Sequence, residues 1–237
     1  MLVCVGAARR SACIVRRRDC GTPPNAESMI RAVFFDYDGV LTLDATGSLT
    51  TYRYLSEHTR MPYEHVHRAF RPHNEALNLG KTTYAEVWHS VCGVLGHAIP
   101  VNLLIGAFES TPLNTEMFEL ARQLRVGCAT GIITDNKKER IDHLRAYQRL
   151  DALFDPIVVS ADAGCTKEDP AIFEHALNVS RVRPEESIFI DNSRDNLVAA
   201  AALGMNVIHF DDSKNDVAKL AQHLRKKYAV SSKQSAA

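Results

Sequence analysis

An apolar run, Val33-Phe34-Phe35, stops abruptly at Asp36-Tyr37-Asp38-Gly39 and resumes as Val40-Leu41-Thr42. A buried strand that ends in acids delivers them to the edge of a sheet, where open α/β folds bind their ligands. Continued strand geometry would place both carboxylates, two residues apart, on one face. Like charges that close are unfavourable unless a cation or a proton offsets them. The stretch therefore points to a metal-assisted carboxylate site and asks the rest of the chain for a sheet to carry it.

The remainder supplies one. Apolar segments that read as strands recur at 30–35, 127–134, 157–160, 187–191 and 206–210. Helical patterns near 113–124, 137–148, from Asp169-Pro170 onward, 194–203 and 213–228 separate or follow the later ones, with Gly204 closing the fourth. Strands alternating with helices of this length predict an α/β fold, a doubly wound, parallel, five-stranded Rossmann-like sheet. Residues 49–110 break the alternation. They read as helices near 49–60, 63–78, 82–96 and 101–110, punctuated by Met61-Pro62, Leu79-Gly80 and Ile99-Pro100. Thr83 and Glu86 have capping-box spacing. The predicted organisation is a core at 29–44 and 112–229, a helical insert at 45–111 and a polar tail at 230–237.

Residues 1–28 differ in composition, with five arginines against Asp19 and Glu27 before the Gly21-Thr-Pro-Pro-Asn25 break. They read as a disordered extension or a start mis-assigned ahead of Met29, with organelle targeting as the alternative. Over the whole chain 28 basic and 28 acidic residues balance, so no global field recruits nucleic acid or an anionic membrane. The six cysteines form no C-x-x-C pair, and no apolar run is long enough to span a bilayer. The expectation is a cytoplasmic monomer or homodimer acting on a small molecule.

In a doubly wound sheet the carboxyl ends of the strands open on one crevice. It would collect Asp36 and Asp38, Thr134, and Asp191 with Asp195, and Lys167 falls in the loop after the third strand. Several carboxylates, a hydroxyl and an ammonium suit a hard cation such as Mg²⁺ bridging to a phosphate.

These segments resemble the four motifs of the haloacid dehalogenase-like (HAD) hydrolase superfamily. Asp36-Tyr-Asp38-Gly-Val-Leu-Thr42 is similar to the first, Thr134 after Gly-Ile-Ile to the second, Lys167 before Asp169-Pro170 to the third, and Asp191-Asn-Ser-Arg-Asp195 to the fourth. By position the resemblance implies a nucleophile at Asp36, forming an aspartyl-phosphate, and a general acid–base at Asp38. It implies phosphate contacts at Thr134, Asp135 and Lys167, and Mg²⁺ held by Asp36, Asp38 through its backbone carbonyl, and Asp191. Asp195 and Asn192 are further metal or outer-shell candidates. The insert would be a small helical cap that closes over the site. Two departures stand out: Glu168 replaces the proline common in the third motif, and Asn192 stands where some relatives carry aspartate.

Reaction type hangs on Asp38. A halide leaving group needs no proton whereas an alkoxide does, so Asp38 favours a small phosphorylated metabolite as substrate over a haloacid. A phosphosugar mutase on the same core, and a non-catalytic protein retaining the fold, are the other readings. In the cap, Lys81 is a substrate-contact candidate. The cluster His65, His67, Arg68, Arg71 and His73 reads as a solvated helix face, and Trp88 as core.

Overall fold

A computed structural model describes residues 29–228. The expectations for 1–28 and for the tail at 230–237 lie outside the described residues. Strands β1 (Ala32–Phe35), β2 (Ala129–Thr134), β3 (Ile157–Val159), β4 (Ser187–Asp191) and β5 (Asn206–His209) form one parallel sheet in the order β3-β2-β1-β4-β5. β1 is central, with Phe35 paired to Ile132 of β2 and to Ile190 of β4. The order reverses at β1, the position at which doubly wound sheets open a crevice beyond their carboxyl ends.

After β1 come the helices α1 (Gly47–Thr59), α2 (Tyr63–Phe70), α3 (Asn74–Asn78), α4 (Tyr84–Leu95) and α5 (Leu103–Glu109). The core then continues with α6 (Thr115–Leu124), α7 (Lys138–Tyr147), α8 (Ser160–Ala163), α9 (Pro170–Ser180), α10 (Leu197–Ala202) and α11 (Val217–Tyr228). The predicted helix over 63–78 is broken because Pro72 forces a tight turn at Arg71–His73 between α2 and α3. The short α8 was not predicted; it begins at the last residue assigned to the third strand.

Successive residues of β1 face opposite layers. Ala32 and Phe34 pack with Ile172, Phe173 and Ala176 of α9, and Val33 and Phe35 belong to the larger cluster with α6, α7 and α11. This two-sided covering is why the strand reads as a continuous apolar run. The same cluster extends without a break into the α1–α5 layer through Tyr52, Phe70, Tyr84 and Phe108. Thr83 caps α4 in a full capping box with Glu86, as its spacing predicts. Trp88 donates from Nε1 to the Ile99 carbonyl (2.6 Å), which ties the α4 face to the Ile99-Pro100 turn. The His65–His73 cluster lies on the outer side of this layer, with Arg68 and Arg71 exposed.

Candidate active site

The chain leaves β1 through a tight turn over Tyr37–Leu41. Gly39 has φ +75°, a conformation side chains resist, and a Cβ there would sit 2.2 Å from Asn192 Nδ2. That turn separates the two acids.

Asp36 faces the sheet side of the crevice. Its Oδ2 lies 2.8 Å from Lys167 Nζ and its Oδ1 accepts from the Tyr37 amide at 2.7 Å. Lys167 also donates to Asp191 Oδ2 at 2.7 Å, so one buried ammonium bridges the ends of β1 and β4. Asp191 accepts further from the Ser193 amide and from Asn196 Nδ2. Burial pushes the Asp36 carboxyl up to about 8; the Lys167 charge opposes this and the Asp191 charge adds to it. For Lys167 burial works against the charge, but Asp36 and Asp191 outweigh it and hold the group above the ordinary lysine range.

Asp38 has different neighbours. Arg140, on α7 and 1% exposed, grips it bidentately: Nη1 donates to Oδ2 at 2.8 Å and Nη2 to Oδ1 at 2.9 Å. The same guanidinium donates to Asn136 Oδ1 and Thr111 Oγ1. Asn136 Nδ2 adds a 2.7 Å bond to Asp38 Oδ2. Gly47, in the first turn of α1, makes room for this clamp, since a Cβ would lie 2.2 Å from Arg140 Nη1 and 2.8 Å from Asp38 Oδ2.

Thr134 is buried at the end of β2, and its hydroxyl is 3.4 Å from Asn136 Nδ2. It does not cap α7, which starts at Lys138. Asp135 turns its carboxylate to the Lys167 backbone amide (3.0 Å) and so fixes the loop that carries the ammonium. An anionic side chain so engaged repels a phosphate rather than recruiting one.

Two further candidates fall away from the crevice. Asp195 is exposed and lines a surface cleft with Glu168, Pro170 and Val198; one residue on, Asn196 takes the place beside Asp191. Lys81 is exposed beyond α3. Asn192 packs against Gly39 and points its amide toward Ala45 O and Asp212. Asp38, with its carboxylate committed to Arg140, has only its backbone carbonyl to offer a metal.

Asn136, Lys137, Arg140 and Asn196 were missed from sequence. For two of them a signal existed: Lys137 and Arg140 share with Ile141 and Leu144 the i, i+3, i+4, i+7 stripe that buries one face of α7. Two cations on an inward stripe, just after a strand end, imply acidic or anionic partners.

Among the described residues no group of three or more His, Cys, Asp or Glu gathers as a metal cage. The donors that converge are the Asp36 and Asp191 carboxylates sharing one ammonium. An all-oxygen set with few protein ligands and a surplus of negative charge fits Mg²⁺, which keeps most of its waters.

The raised Asp36 carboxyl has a measurable consequence. Between the ordinary carboxylate range and about 8 the folded protein holds a proton that the unfolded chain has lost. In EDTA, stability should therefore fall as pH rises through that window, and Asp36→Asn should flatten the dependence. Thermal unfolding across pH 4 to 9, with and without the substitution, checks this.

Fold and crevice together define an α/β protein with an acid-rich strand-end site beneath a helical layer. The chain belongs to the haloacid dehalogenase-like hydrolase family, whose model matches residues 30–204. It is 26% identical to bifunctional epoxide hydrolase 2 of Rattus norvegicus over 213 residues, which are 81% of this chain and 38% of the rat protein. The chain thus spans well under half the length of that relative. It is 29% identical to a sesquiterpene phosphatase of Aspergillus oryzae over 153 residues, 62% of this chain and 77% of that protein. A HAD family enzyme from Bacteroides thetaiotaomicron, solved as a magnesium complex, shares the fold with TM-score 0.66 and 19% identity, covering 81% of this chain and 98% of that one.

Proposed function

We propose that this protein hydrolyses a small phosphomonoester through an aspartyl-phosphate on Asp36, with Mg²⁺ bound. The observation that carries the reading is the division between the two acids. Asp36 shares Lys167 with Asp191 at the strand ends, whereas Asp38 is held apart by Arg140 and Asn136. A nucleophile and a proton carrier need such unequal settings. The sesquiterpene phosphatase relative and the magnesium-bound structural neighbour support the same reading.

In the first half-reaction the Asp36 carboxylate attacks phosphorus and the bond to the leaving oxygen breaks, the leaving oxygen taking its proton from Asp38. In the second, water attacks phosphorus, its proton passes to Asp38 and the Asp36–phosphorus bond breaks. Thr134 and Lys167 bind the phosphoryl oxygens. Asp36, Asp191 and the Asp38 carbonyl would hold Mg²⁺, which neutralises charge on the carboxylates and phosphate. In the arrangement described, every bond to Asp38 comes from a donor, so it is set to accept a proton; donating one requires it to loosen from Arg140.

Asp38 also speaks against halide displacement, which needs no proton carrier. The test is phosphate release from an aryl phosphate by purified protein. Release is expected with Mg²⁺ and should vanish in EDTA; inactivity on every phosphate ester offered would overturn the proposal.

A further inference from the structure

The crevice contains one cation that neither acid uses. Lys137 is 7% exposed at the start of α7, and its Nζ donates to Ser48 Oγ of α1 at 2.8 Å. No carboxylate forms an ion pair with it among the described residues. Asp38, the nearest acid in the network, is taken by Arg140 and Asn136. Lys138, next in sequence, is the contrast: it is half exposed and pairs with both Asp142 and Asp162.

A buried ammonium facing only a hydroxyl is an expensive arrangement unless an anion arrives. Burial pulls Lys137 down to about 8, with the adjacent Arg140 charge adding to the effect and Asp38 opposing it, so the group still carries charge at neutral pH.

Its position relative to the acids says which part of a substrate it meets. The Lys137 amide bonds Asn136 Oδ1, and Asn136 bonds Asp38. Ser48 follows Gly47, which abuts Asp38 and Arg140. Lys137 therefore stands on the helical-layer side of the proton carrier, where a leaving group must lie. Beyond it the lining stays polar. On the next turn of α1 the buried Tyr52 hydroxyl donates to Asn74 Oδ1 at 2.8 Å. Asn78 Oδ1 is buried without a partner in the same layer, and the Asn78 backbone carbonyl accepts from Ser160, which also binds the Asn136 amide.

We infer that Lys137 is a specificity-determining residue, and that the preferred phosphomonoester carries a second anionic group, a carboxylate or another phosphate, on its leaving portion. This rests on the phosphatase reading above and narrows it: an extended apolar alcohol would leave the Lys137 charge desolvated with no counter-ion, its one bond being to the Ser48 hydroxyl.

The test compares full-length wild type with Lys137→Met and Lys138→Met, all with Mg²⁺. The substrates are phenyl phosphate and glycerol 3-phosphate, without a second anion, and 3-phosphoglycerate, with a carboxylate, and propane-1,3-diol bisphosphate, with a second phosphate. Wild type should prefer the latter pair, and whichever of the two is better tells carboxylate from phosphate. Lys137→Met should raise KM for that substrate about 10- to 100-fold, as loss of a charged hydrogen bond implies. It should change phenyl phosphate turnover less than about 3-fold on the same reasoning, and Lys138→Met should match wild type. Melting of Lys137→Met should stay level or rise, because an unpaired buried charge has been removed. Equal losses on all substrates, or a lower melting temperature with no change in preference, would make Lys137 structural and overturn the inference alone. Wild type inactive on every ester overturns the phosphatase reading and this inference with it.

Discussion

Asp36→Asn is expected to lower phosphate release by at least about 10⁴-fold, because loss of a covalent nucleophile leaves only binding and electrostatic help. The substitution is nearly isosteric. Asparagine can keep the Tyr37 amide contact through its oxygen, and Asp191 still holds Lys167. The fold should therefore survive, and in EDTA above pH 8 the variant should be the more stable form, since it removes a carboxylate that burial disfavours. Rapid quenching of wild type during turnover, followed by mass spectrometry, should find phosphate on the peptide containing Asp36 and none in the variant. A variant that turns over at close to the wild-type rate would sink the covalent mechanism while leaving the fold and family untouched.

What made Asp36 readable in advance was topology. Strand β1 is buried on both faces, so its sequence is apolar until the sheet ends, and whatever follows stands at the crevice. Thr134 and Asp191 are marked in the same way by β2 and β4. The α1–α5 layer was legible from helical periodicity and from breaks at Pro62, Gly80 and Pro100. The residues around Asp38 were not. Arg140 is 102 positions away, so its place on the inward stripe of α7 implies an acidic partner without saying which acid it is. Asp195 and Asn196 show the opposite difficulty. Both lie in the turn before α10, and only the path of that turn decides that the amide reaches Asp191 while the carboxylate faces outward. Composition carries no information about a one-residue phase of this kind.

Arg140→Met should be the most destabilising single change at the site. Arg140 is 1% exposed and makes four hydrogen bonds through its two terminal nitrogens, two of them to Asp38. Methionine approximates the length and fills the hole beside Tyr37, whose ring lies 5.5 Å from the guanidinium carbon. It leaves the Asp38 charge buried without its counter-ion, however, and breaking such a pair costs about 3–5 kcal/mol. Adding Asp38→Asn removes that stranded charge, so the double variant should regain most of the stability lost by Arg140→Met. Chemical denaturation of the four proteins in the cycle gives the coupling directly. Activity should behave differently. Asp38→Asn and the double variant should both sit about 10²-fold or more below wild type, because no proton carrier remains. Arg140→Lys should fall between, since an ammonium cannot reproduce the planar two-point grip. Recovery of stability without recovery of turnover separates the two tasks of the pair: Arg140 makes the burial of Asp38 tolerable, and Asp38 moves the proton. If Arg140→Met kept wild-type stability and rate, the clamp would have no part in either.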